Sequence, residues 1–545
     1  MKKLVLFSTV LFFASLSYAQ NSGQISGNFQ TDFQYYQPDS LIGAEAPKAK
    51  TALMSYANII YSLKDFKAGF RYEAYMNAPL GYDRRYDGLG IPYYFASYTT
   101  KDLSLTAGSF YENFGSGLIL RTYEDKALGI DNAINGIRIT AHPYKGVYLK
   151  ALAGKQRFFW DKGPGIVRGT DGEININELR DSWGNKKWGI IIGGSFVSKF
   201  QEDKDPIYKL PENVGASAGR INLRYGKFSL KSEYAYKIND PSADNKFIYQ
   251  DGEALNIEGG YTTKGFGILL ATKSLYNMSF RSDRTANLNN LSIGYLPAIS
   301  RNHSFAFTAM YPYASQPQGE NGFRGDIMYK IPKKTKLGGR YGMTILLNGS
   351  RVQAVKCNPI NDSIPIGQSG TLGYKTQLFN IDDEEYFQDI NLEIQKKFSR
   401  KLKTIFIYQN LFYNFNVMRG KTDHENVKAH VGVADITYRF TTKQALEIQA
   451  QALFTEQDMG NWAMLMLEYT VAPHWFFAVI DQYNYGNSEK EKQIHYYNTS
   501  FGYNTGGSRI QIGYGKQRSG IFCVGGVCRE VPAMYGLTVS ISSTF

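Results

Sequence analysis

The chain has 545 residues, of which 43% are hydrophobic, 15% aromatic and only 20% charged, with a formal charge of +13 and a mean hydropathy of −0.34. After its first residues no apolar run approaches the ~18 residues a membrane helix needs, which excludes a helical membrane protein. No basic block carries the positive excess, so nucleic-acid binding has no support; Lys and Arg fall at turns and on polar strand faces, as in a mildly anion-favouring lumen or a surface meeting acidic glycans.

Residues 1–19 have the three parts of a secretory signal: Lys2 and Lys3, the largely apolar stretch from Leu4 to Leu16, and Ser17 and Ala19 as the small residues before the cut. Gln20 would open the mature chain, and no Cys stands there to carry a lipid anchor. Loss of Lys2 and Lys3 would lower the formal charge to +11.

From Ile25 onward the chain alternates. Ile25, Gly27, Phe29, Phe33 and Tyr35 interleave with polar residues, as do Phe66, Phe70 and Tyr72 with Lys67, Arg71 and Glu73. The pattern returns at Ile390 to Gln395, Leu446 to Ala452 and Arg509 to Tyr514. A strand of period two then shows one apolar and one polar face. With 41 Tyr and 34 Phe, such two-faced strands spread over a whole chain suit a transmembrane barrel, in which half of each strand faces water.

The connections alternate in length. Short polar turns fall at Lys64-Asp65, Lys101-Asp102, Tyr144 to Gly146, Gly226-Lys227, Thr263 to Gly265, Ser399 to Lys401, Thr441 to Lys443 and Gly506 to Ser508. Longer segments run over Gln37 to Lys50, Pro79 to Gly90, Asn239 to Asp251, Asn277 to Asn287, Arg351 to Glu384 and Val417 to Val427. Short periplasmic turns and long extracellular loops are the two sides of an outer-membrane barrel. The expected fold is all-β: one antiparallel transmembrane barrel over residues 20–545, of about 26 strands, with an even count because both termini are periplasmic. Ile166 to Leu179 reads as a descending strand and Trp188 to Phe200 as the next ascending one; with the first as a loop the count drops to about 24. No stretch reads as a separate plug or periplasmic domain.

The connection from Phe114 to Asn132 is too apolar for a solvated loop. Leu118, Ile119 and Leu120 need burial, while Arg121, Glu124, Asp125 and Asp131, with Tyr123 among them, need polar partners. An inward constriction, a docking surface and a structured surface loop all meet those needs. Inner-face charges such as Lys67, Arg71, Glu73, Arg138, Glu393, Glu447 and Arg509 read as lumen residues paired across the barrel interior.

Near the end, Cys523 and Cys528 flank a Gly-Gly pair that favours a tight hairpin, and the oxidising address favours a disulfide between them. Four intervening residues do not match a Cys-x-x-Cys redox site. Cys357 is left over, as a free thiol or a link to another subunit. Catalytic signals are absent: there is no G-x-S-x-G elbow and no H-E-x-x-H, the six His are dispersed, and Pro38 to Leu41 resembles the start of a GDSL esterase without its Gly. No cofactor or metal site is expected.

The last strand carries Tyr535, Leu537, Val539 and Ile541 on one face and small residues on the other, and ends on Phe545. It resembles the terminal strand of bacterial outer-membrane barrels, where a final aromatic is read by the barrel-assembly machinery. Pairing with the strand near Ile25 to Tyr35 would close the barrel. Phe114 to Asn132, Gly169 to Asn177 with Arg168, and the run from Cys523 to Ala533 resemble an uncharacterised family of large Bacteroidota outer-membrane barrels. That resemblance implies fold and location without naming a substrate. Asp39-Ser-Leu41 and Asp362-Ser-Ile364 fit the O-glycosylation pattern of that phylum. The expected protein is a non-enzymatic barrel set among outer-membrane lipids and lipopolysaccharide. It would act as a channel or as the membrane subunit of an envelope complex; a passive porin for small polar or anionic solutes and an outer-membrane hydrolase are the alternatives.

Overall fold

The computed structural model describes residues 23–524 and 527–545. The expected signal peptide, residues 1–19, and Gly525-Gly526, where a tight turn was expected, lie outside the described residues. Twenty-four strands form one antiparallel sheet, from Gln24–Tyr36 to Met534–Thr544. The sheet closes on itself: the first strand pairs with the last from Asn28↔Thr544 to Tyr36↔Gly536. The amide of Gly27 donates to the Phe545 carbonyl at 2.9 Å and the Phe545 amide returns the bond at 3.0 Å. A β-carbon on Gly27 would sit 2.7 Å from the Phe545 ring, so the seam needs glycine there. Closure leaves no unpaired edge.

Register sorts the two faces. On the last strand Tyr535, Leu537, Val539 and Ile541 point outward, while Thr538, Ser540 and Ser542 point inward beside Gln34, Asp32 and Gln30 of the first. Outward rows elsewhere are apolar and exposed, for example Leu103 with Leu105 and Ile137 with Ile139. An aromatic girdle rims the short-turn end, where Phe228, Tyr261, Phe266 and Tyr329 touch ring to ring and Trp475 meets Tyr503. An apolar belt with aromatic rims around a closed sheet is an integral outer-membrane barrel, with its short turns in the periplasm. Among the described residues no helix is long and apolar enough to cross a membrane.

All eight short turns expected from the sequence join neighbouring strands. The strand count is 24 rather than 26, and the shortfall is not at Ile166 to Leu179. That region is a strand, Asp161–Asn175, followed by Trp188–Phe200. The external connection expected to end at Asn287 continues to residue 318 without entering the sheet. Its stretch Phe305, Phe307, Ala309, Tyr311, Tyr313 has the period of a strand, yet these aromatics pack inside the barrel.

Candidate functional site

A barrel of this many strands is too wide for wall side chains to fill its interior. Here two extracellular connections, residues 111–133 and 277–318, fold back into it. They bury inward apolar residues of the outer half, together with side chains of other outer connections such as Phe415, Met418, Ile248 and Tyr374.

Residues 111–133 leave the strand Leu103–Phe110 and pack Phe114, Leu118, Ile119 and Leu120, all essentially without solvent exposure, against Leu152, Val167, Val197, Val214 and Ala235 of the wall. Gly169 faces this segment, and a β-carbon there would lie 2.9 Å from the Phe114 ring. Gly115 is in the left-handed region (φ +55°) against the Glu233 carboxylate, which accepts from the Ser116 amide at 2.6 Å.

The same segment closes a buried charge cluster. Arg71 of the wall bonds Glu73 at 2.6 Å, Glu124 at 2.9 Å and also Asp131; Arg157 bonds Glu73 at 2.7 Å and Asp131 at 2.6 Å. Tyr111 donates to Asp131 at 3.0 Å. Arg71, Glu73 and Arg157 are at most 5% exposed, so each charge depends on the others in place of water. Burial pushes the Glu124 carboxyl above its usual range against the pull of Arg71, and draws the Lys126 amine below its own. Glu112 holds Lys150 at 2.7 Å and Arg138 at 3.4 Å.

The expected site residues are thus divided. Glu124 and Asp131 meet at the arginines; Arg121 lies apart, over the rings of Tyr295 (4.0 Å) and Tyr123 (5.3 Å). Asp125 accepts the Leu128 amide within its own turn, and Leu118 is buried. Of the inner-face charges expected to pair across the barrel interior, Arg71 and Arg138 hold residues 111–133 and Glu393 holds Arg301 of residues 277–318, while Glu73 pairs with Arg71 and Arg157 on the wall.

The two segments join through backbone bonds, Arg121 to the Ile293 carbonyl at 2.8 Å and Tyr295 to the Gly117 carbonyl at 2.9 Å. Residues 277–318 then cross to the far wall. Phe307 meets Trp462, Tyr311 meets Tyr413 and Tyr313 meets Phe387, over a floor that includes Val427, Ala429, Val431 and Val433. Neutral groups help hold them: Gln451 accepts the Phe307 amide (2.9 Å) and Gln409 donates to the Thr308 carbonyl (3.3 Å). His303 reaches Asp389 at 2.5 Å, and Tyr311 donates to Asp458 at 2.9 Å. The length of 277–318 was legible only to Asn287, because its aromatic alternation imitates a strand.

Beneath these segments lie two cavities with charged side chains among their linings. One cavity of about 610 Å³ is lined by Lys67, Tyr93, Phe95, Thr106, Tyr111 and Arg138, and another of about 490 Å³ by Glu173, Arg220, Glu233 and Lys273 among others. At the outer mouth the Cys523–Cys528 disulfide pins a hairpin of Gly520–Val524 and Val527–Val531. Asn289 donates to the Cys528 carbonyl at 2.9 Å, and Arg529 stacks on Tyr82 at 4.3 Å, so the hairpin roofs part of the inserted chain. Cys357 is free and half-buried. Among the described residues no cluster of His, Cys, Asp and Glu could hold a metal ion, and no His shares a hydrogen bond with a Ser or Thr hydroxyl.

Residues 1–545 match a protein family described as a family of unknown function (DUF6029), and the chain belongs to it. No curated protein matches the sequence. Among solved structures, a mutant ferric enterobactin receptor (PfeA) from Pseudomonas aeruginosa is similar at 10% identity and TM-score 0.45, over 97% of this chain and 81% of that one. The outer membrane protein opdK from the same species is 10% identical at TM-score 0.36, over 79% of this chain and 97% of that one. The FrpB iron transporter from Neisseria meningitidis is 8% identical at TM-score 0.38, over 97% and 83%.

Proposed function

We propose, from the premise of a DUF6029 member folded as an outer-membrane barrel with an occupied interior, that the protein is the membrane subunit of an envelope complex rather than a free-running pore. The observation that carries this reading is the docking of residues 111–133 and 277–318 inside the barrel, on buried charges at one wall and aromatics at the other. A passive porin needs a continuous aqueous path, and this much ordered chain in the outer half opposes one. A hydrolase needs an activated nucleophile, and the hydrogen-bonding of the histidines offers none. A second reading is a channel gated by withdrawal of the inserted chain, favoured by the polar cavities beneath it.

Planar-bilayer recording and gentle detergent extraction followed by mass spectrometry separate these readings. The expected outcome is a silent barrel that travels with defined partners, and a variant with residues 279–316 replaced by a short Gly-Ser link that conducts in large steps. A wild-type protein that runs alone and conducts at the level of the trimmed variant overturns the complex reading.

A further inference from the structure

The positive excess of the chain is not scattered once the barrel is closed. The eleven connections at the periplasmic end carry 15 Lys and Arg against 4 Asp and Glu, whereas the twelve at the outer end carry 20 against 24. The strands hold 24 against 20, so the greater part of the excess sits on the periplasmic rim rather than in the lumen or on the outer surface, where the sequence pattern suggested anion traffic or acidic glycans.

Within the periplasmic rim the charge is concentrated on one arc. The turns at 332–342, 398–401 and 440–443 join six successive strands, each paired with the next, so the three turns are neighbours. Residues 330–342, 396–403 and 439–443 together hold 12 Lys and Arg and no Asp or Glu. Among the described residues none of the twelve forms an ion pair; Lys403 lies near enough to the Glu447 carboxylate to attract it. The turns brace one another through Lys396, which donates to the Leu337 carbonyl at 3.0 Å, and Lys397, which lies over the Tyr341 ring at 5.3 Å. Leu337 and Phe398 stand among these cations at 65% and 51% exposure.

Like charges held this close repel one another, which costs stability unless an opposite charge covers them. Anionic headgroups of the inner leaflet would cover only residues on the outward row. Register places Lys330, Lys397, Lys403 and Arg439 on the inward row, facing the barrel mouth and away from lipid. Cations on both rows, with exposed Leu337 and Phe398 between them, suit a polypeptide that lies across the rim. We propose that this arc is the docking surface for an acidic periplasmic polypeptide. The proposal rests on the complex reading above and names the chemistry and the side of the partner.

The test uses the full-length barrel in detergent and a fluorescent peptide of twelve glutamates as probe. Binding is expected to weaken as salt rises, and to fall about tenfold in the exposed triple variant Lys333→Glu, Lys334→Glu, Lys336→Glu. The control Lys186→Glu, Lys187→Glu, on another periplasmic turn, is expected to leave it unchanged. In cells, a photo-crosslinker at Thr335 is expected to yield a polypeptide adduct that the triple variant loses. Equal loss in both variants, or adducts to phospholipid alone, would overturn the proposal. Partners that co-purify undiminished with the triple variant would retire this surface and leave the complex reading intact. A wild-type barrel that has no cellular partner would overturn the proposal together with the complex reading on which it rests, even if it binds the peptide at the arc.

Discussion

The two inserted segments are held by different physics. Residues 111–133 close on Arg71, Glu73, Asp131 and Arg157, a buried cluster in which every charge is needed. Residues 277–318 settle their far half on rings and aliphatic side chains, with separate polar ties along the way, some to the neutral Gln451 and Gln409 and others to the carboxylates of Glu393, Asp389 and Asp458. Removing one partner from the first leaves an uncompensated charge away from water, whereas the second loses contact by degrees. The first attachment should therefore fail as a unit and the second erode.

Three substitutions test that contrast, from the largest expected effect to the smallest. Asp131→Ala leaves the buried Arg71 and Arg157 sharing Glu73, with Glu124 on Arg71 alone, and should cost about 3–5 kcal/mol of docking. Amide exchange across 111–133 should accelerate together, while exchange across 303–313 changes little; retained protection across 111–133 would break the comparison. Tyr311→Phe removes one donor from Asp458 at the aromatic wall and should cost about 1–1.5 kcal/mol, since water reaches the exposed carboxylate in its place. Its effect should stay local in the exchange pattern, and spread to residues 111–133 would mean that the two segments move as one. Ile293→Val sits at the junction, where Ile293 is fully buried and accepts the Arg121 amide. About 0.5–1.5 kcal/mol is expected, shared by both segments. A change confined to one side would show that the backbone bonds between them carry no coupling.

Much of the barrel was legible because local rules and global fold agree. The terminal strand, its partner near Ile25 and the eight short turns follow from period-two alternation and turn chemistry. The interior was less so, for reasons that particular residues make plain. On the strand Val427–Arg439 the aliphatic row of Val427, Ala429, Val431 and Val433 faces inward, because inserted chain covers it, and Lys428 and His430 face outward. Alternation reveals that a strand has two faces without saying which is wet. Phe305 to Tyr313 alternate as strands do, and only pairing, which they lack, separates the two cases. The burial needs of Leu118 to Leu120 were visible, while their partners, from Val197 to Ile293, are remote in sequence and come together only in the closed barrel.

The uneven charge of the two rims bears on how the molecule takes its place in the membrane. In a barrel whose termini stay on the periplasmic side, the outer connections are the parts that must be carried through hydrocarbon, and the short turns never make the crossing. Charge is costly to move through that medium. The travelling connections hold slightly more acid than base, while the surplus of base sits on turns that remain behind. The chain that crosses thus carries more charges than the chain that stays, 44 against 19, but no positive surplus, and the uncompensated base remains on the periplasmic side.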